Sequence, residues 1–163
     1  MARKIIKFTK KDKQFIQDFT NSINKNLIIA ISENKRFECD IPNNTIYLGL
    51  KNLNQIENNL FKKWLKNENI TIKMNRRLLS LLHEIGHFQT FNEQEFEDRN
   101  SMEKIYNQMY ENDLITFEEL NFNYWNMTNE KKATLWGIQY YLENTKKCKQ
   151  LVKILKLNKF VKF

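Results

Sequence analysis

Histidine occurs only twice in the 163 residues, proline once, cysteine twice and glycine three times. The shortage of glycine and proline argues for helices joined by few tight turns. Cys39 and Cys148 lie far apart and form no CxxC pair, so each reads as a small hydrophobic filler in a reducing compartment. The N-terminal run MARKIIKFTKKDKQF has the positive residues of a signal peptide but no continuous apolar stretch to follow them. No run approaches the roughly 18 apolar residues that a membrane span needs. The expectation is a cytoplasmic protein without a transmembrane segment.

Acidic residues are also in deficit, 19 against 27 lysines and arginines, for a net charge of +8. Such a balance favours acidic partners, nucleic acid included, although lysine is equally the default surface residue. Hydrophobic residues at 41% and charged residues at 28% exclude a disordered chain. The length suits one domain with a sizeable core. No repeat, linker or break in composition divides it, so residues 1–163 read as one unit.

Hydrophobic spacing outlines the elements. Ile5 to Phe8 could form a short strand, after which Thr9 and Asp12 make a capping box for a helix with Phe15, Ile16, Phe19 and Ile23 on one face. Leu27 to Ile31 reads as a buried strand. The run RFECDIPNNTIYLGLK reads as a hairpin turning at Pro42-Asn43-Asn44. Asn52 or Asn54 can cap a helix carrying Ile56, Leu60, Phe61, Trp64 and Leu65. Asn75 is placed to cap the next helix, and a polar helix is expected from Asn92 to Asn112. Thr116 with Glu119 forms a further capping box, and Thr128 or Asn129 can cap the helix after it. The basic segment Lys146 to Phe163 is amphipathic.

Both histidines fall in one stretch, LLHEIGHFQTF, Leu81 to Phe91. Leu78, Leu79, Leu81, Leu82, Ile85 and Phe88 wrap most of the helix, which marks it as buried and central. His83 and His87, four apart, share a helical face, where two imidazoles can reach one Zn²⁺. Glu84 projects beside that point and can serve as general base to a water, as in HExxH metallopeptidases. Gly86 lets a neighbouring segment come close.

With the histidines exhausted, a third ligand must be a carboxylate or a cysteine. Glu130 is the leading candidate. It opens a helix on which Ala133 and Gly137 form a small-residue stripe suited to close packing against a neighbour. Glu93, Glu95, Glu97 and Asp98 lie in a charge run that reads as a solvated face, and Glu118 and Glu119 read as capping residues. Tyr124, Tyr140 and Tyr141 are candidate donors to an oxyanion.

HEIGH, followed by E-x-x-A-x-x-W-G-x-x-Y (Glu130, Ala133, Trp136, Gly137, Tyr140), resembles the ImmA/IrrE-type zinc metallopeptidases of bacteria, phages and mobile elements. The resemblance implies zinc ligation by His83, His87 and Glu130, and the base role for Glu84. It also implies a small sheet ahead of the motif helix and a regulatory protein as substrate. The expected fold is α+β, a helix-rich single domain with a small antiparallel sheet ahead of a central HExxH helix. An extended substrate could add to the sheet at Thr45 to Leu50, taken as its edge. The alternative is a binding protein with structural zinc or none, acting through its basic termini on nucleic acid or an acidic protein partner.

Overall fold

The computed structural model describes residues 8–32, 36–49 and 55–156. Within these, seven helices accompany a three-stranded sheet: α1 (Lys10–Asn21), β1 (Ile28–Ser32), β2 (Glu38–Asp40), β3 (Thr45–Gly49), α2 (Gln55–Asn67), α3 (Arg76–Gln89), α4 (Glu93–Glu111), α5 (Phe117–Asn126), α6 (Thr128–Glu143) and α7 (Thr145–Lys156). The protein is a helix-rich α+β structure with its sheet ahead of the motif helix. No helix among the described residues is long and apolar enough to cross a membrane. The proposed strand at Ile5 to Phe8, the capping asparagines 52 and 54, and the chain beyond Lys156 fall largely or wholly outside the described residues.

The caps largely follow side-chain chemistry. Thr9 and Asp12 exchange hydrogen bonds, as do Thr116 and Glu119, so both capping boxes form. Asn75 accepts from the amides of Arg77 and Leu78, and Asn92 caps α4. Such caps contribute about 1 kcal/mol each. The exception is α6. Its N-cap is Met127, which makes no side-chain bond, and neither Thr128 nor Asn129 serves. Met127 is also the C-cap of α5. The two helices thus meet at one buried residue, leaving no free position for a polar cap.

The sheet runs β1-β3-β2. The β2–β3 hairpin is antiparallel as expected, with Asn44 taking the positive φ (49°) of its turn, while β1 joins β3 in parallel and makes the sheet mixed. Two expectations are corrected here. β3 is the central strand, paired on both sides, so Thr45–Gly49 offers no edge; the edges are β1 and β2. β1 is accordingly half-buried, not buried, with Ile28 55% exposed. A run of apolar β-branched residues looks alike in either position.

α3 lies between two cores. On one side Leu81, Leu82 and Ile85 join Ile16, Phe19, Ile46 and Leu48 with Leu151 and Leu155 of α7. On the other, Leu79 packs with Phe61, Trp64 and Ile138, alongside Phe122 and Trp125. Burying each such side chain favours folding by about 1.5–3 kcal/mol. Arg77 Nη2 donates to the Gly49 carbonyl (2.9 Å), which ties the start of α3 to the end of β3.

Candidate metal centre

The placement of the site begins with glycine. A Cβ on Gly86 would stand 2.5 Å from the Ala133 carbonyl oxygen, and one on Gly137 would stand 3.2 Å from Leu82. α3 and α6 can therefore approach until backbone meets backbone. That approach sets Glu130, in the first turn of α6 and only 2% exposed, beside the histidines of α3.

His83 Nε2 lies 3.1 Å from Glu130 Oε2, His87 Nε2 lies 3.4 Å from the same oxygen, and the two Nε2 atoms are 3.0 Å apart. Three donors thus converge on one point. Around a tetrahedral zinc with bonds of about 2.0–2.1 Å, neighbouring donors stand about 3.3–3.4 Å apart. The triad fits that requirement. Nitrogens facing each other at 3.0 Å share either a hydrogen bond, one N–H donating to the other, or a cation held between them.

The second ring nitrogen of His83 is held as well. His83 Nδ1 lies 2.9 Å from Thr134 Oγ1. With Nδ1–H donating to this hydroxyl, Nε2 keeps its lone pair for a metal. Thr134 follows Glu130 by one helical turn, so the spacing alone could have found it.

Arg99, from α4, was hidden in the charge run of that helix. Its Nε donates to Glu130 Oε1 (3.2 Å), its Nη2 to the Tyr124 hydroxyl (3.2 Å), and its Nη1 pairs with Glu103. Glu130 thus turns one oxygen to the histidines and the other to a guanidinium. Burial would raise the Glu130 pKa, but hydrogen bonds and charges from His83 and His87 hold it well below the usual carboxylate range. Burial alone would lower the His83 pKa; the Glu130 hydrogen bond, with the charges of Glu84 and Glu130, raises it instead.

Glu84 is buried, at 8% exposure. One of its carboxylate oxygens lies within 4.8 Å of the Cys39 Sγ on β2. Burial first, and the Glu84 charge second, push the Cys39 pKa far up. Cys39 thus lies beside the site, whereas Cys148 is wholly buried among Leu151, Leu155 and their neighbours.

These residues line a cleft of ≈ 470 Å³. β2 forms one wall (Phe37 to Pro42), with Phe91, Phe96, Arg99, Tyr124 and Asn129 around the rest. Of the three tyrosines considered, Tyr124 lines the cleft. Tyr140 packs on Phe19 and Trp136, and the Tyr141 hydroxyl reaches the Lys73 carbonyl. Burial, and then the nearby Glu130 charge, raise the Tyr124 pKa, so its hydroxyl stays protonated. Of the acids set aside, Glu95 pairs with Lys132, Glu118 with Lys63, and Glu119 caps α5.

No protein-family profile matches the chain, no curated protein matches it in sequence, and no solved structure matches its fold.

Proposed function

We propose that the protein is a zinc-dependent metallopeptidase in which His83, His87 and Glu130 hold the ion and Glu84 is the general base. The observation that carries this reading is the convergence of the three donor atoms within 3.4 Å of one another at the cleft wall. A zinc ion held there supplies a Lewis acid for a scissile carbonyl and lowers the pKa of a bound water to about 7. Glu84 takes the proton of the attacking water and passes it to the departing amine. Arg99 fixes the orientation of Glu130. The Tyr124 hydroxyl accepts from Arg99 and so keeps its own hydrogen to donate to a developing oxyanion. β2 lies at one margin of the described sheet, along the same cleft, where an extended protein or peptide substrate can lie beside it. The resemblance to ImmA/IrrE-type peptidases supports the same assignment and points to a cytoplasmic regulatory protein as substrate.

The test begins with zinc content per chain after purification without added metal. About one ion is expected in the wild type and in Glu84→Gln, and clear loss in Glu130→Ala. Hydrolysis should vanish in Glu84→Gln although its zinc stays. The rival reading, a non-catalytic binder, rests on the exposed lysines 146, 149 and 153 of α7. In that case Glu84→Gln would be silent, while neutralising those lysines would abolish binding and flatten its salt dependence.

A further inference from the structure

We infer that Cys39 is a fourth, displaceable ligand of the ion that we place at His83, His87 and Glu130, so that the resting site is capped by a thiolate. The inference rests on that placement of the ion. Two donor groups in the protein share a member. His83, His87 and Glu130 form one; Cys39 Sγ, a Glu84 carboxylate oxygen and a His87 ring nitrogen, all within 4.8 Å of one another, form the other. Their overlap at His87 puts the thiol beside the triad.

The strand explains the aim. Cys39 pairs with Ile46, which is fully buried, so both point from the sheet toward α3. Glu38 and Asp40, one step to either side, point the other way. A thiolate and an imidazole on one tetrahedral zinc stand about 3.6 Å apart, from bonds of about 2.3 and 2.0–2.1 Å. Sγ therefore has to close on the His87 nitrogen by up to about 1.2 Å and, standing in no common group with His83 or Glu130, must swing further toward those two donors. Thiolate is also a better zinc ligand than solvent water, being the softer donor.

The proton has a destination. As Sγ binds, its S–H bond breaks and the proton moves to the Glu84 carboxylate, an oxygen of which lies within 4.8 Å of the sulfur. The sulfur lone pair takes the open position. One event thus fills the position that water needs and protonates the base that would activate it. When Cys39 withdraws, Sγ recovers the proton and Glu84 is again a free carboxylate. A substrate strand laid against β2 would act on the very residues that carry the thiol.

The experiment is a Co²⁺ titration of the metal-free protein under reducing, anaerobic conditions. Visible ligand-field bands report occupation of the site, and a near-ultraviolet charge-transfer band reports a thiolate on the ion. Wild type should show both. Cys39→Ser should lose the near-ultraviolet band and keep the visible ones, and Cys148→Ser should match wild type. Visible bands without the near-ultraviolet band in wild type, or a near-ultraviolet band that survives Cys39→Ser, would overturn the inference and leave the triad standing. No cobalt bound at all would overturn the placement of the ion and the cap with it. Should Cys39→Ser fail to fold, alkylation of the wild type mapped by mass spectrometry decides. Cys39 should be labelled in the metal-free protein and protected once loaded, and equal labelling in both would refute the cap.

Discussion

α3 and α4 follow one another in the chain and build the same site from opposite resources. α3 has 14 residues, eight of them buried, and both cores rest on it. α4 is longer, at 19 residues, and has none buried, with Met102 37% and Ile105 46% exposed. Its ties to α6 are polar, Arg99 on Glu130 and Glu95 on Lys132, beside an aromatic contact of Tyr110 with Phe117 of α5. The difference teaches that in this molecule one helix positions the two histidines through packing, and the other orients Glu130 through charge.

The largest effect should come from the packed side. Leu82→Ala, at a position with no exposure and in contact with the space below Gly137, should cost about 2–5 kcal/mol in a denaturant melt. Loss of under 1 kcal/mol would show that α3 is not the central element. Next comes the polar side. Arg99→Gln should leave helix content unchanged by circular dichroism and weaken zinc binding by about 10–100-fold in a competition titration. If affinity is untouched, Arg99 does not orient Glu130.

Acidity sharpens the same contrast. In the metal-free protein the His83 pKa is raised above 6.5, so its contribution to stability is full below 6.5 and fades as pH rises through the raised value. Glu130 is depressed below 4.5; its contribution is present above 4.5 and fades as pH falls through the lowered value. Zinc competes with the His83 proton. The rise in Tm on adding zinc should therefore grow as pH climbs above 6.5, and a rise that is flat with pH would remove His83 from the ligands. The smallest effect belongs to the outer face of α4, where Ile105→Ala should change stability by no more than about 0.5 kcal/mol.

The same division decides what could be read from the chain. Where side-chain pattern and backbone periodicity agree, the elements are legible: the capping boxes at Thr9 and Thr116, the turn before Thr45, and α3 with its histidines. Glu130 was legible because Ala133 and Gly137 announced a close helix pair, which Gly86 and Leu82 complete. Arg99 was not, because a guanidinium among acids on a solvated helix looks like any surface pair until the fold sets Glu130 opposite. Cys39 reads as a filler because no second cysteine stands near it in the sequence, and the Glu84 and His87 groups beside its thiol come from another element. The central place of β3 depends on β1 arriving in parallel from a distant segment, which no local pattern encodes.

The backbone contact beneath the site has one more consequence, for which ions can enter. Donor atoms 3.0–3.4 Å apart, set by helices already touching at Gly86 and Ala133, cannot spread to accommodate a larger sphere. Calcium needs six to eight oxygens at about 2.3–2.6 Å, and magnesium an octahedron it seldom leaves. Neither shape is on offer. An ion held as we propose would therefore be a small tetrahedral one, and the missing methyl group at Gly86 is what keeps the two helices that close.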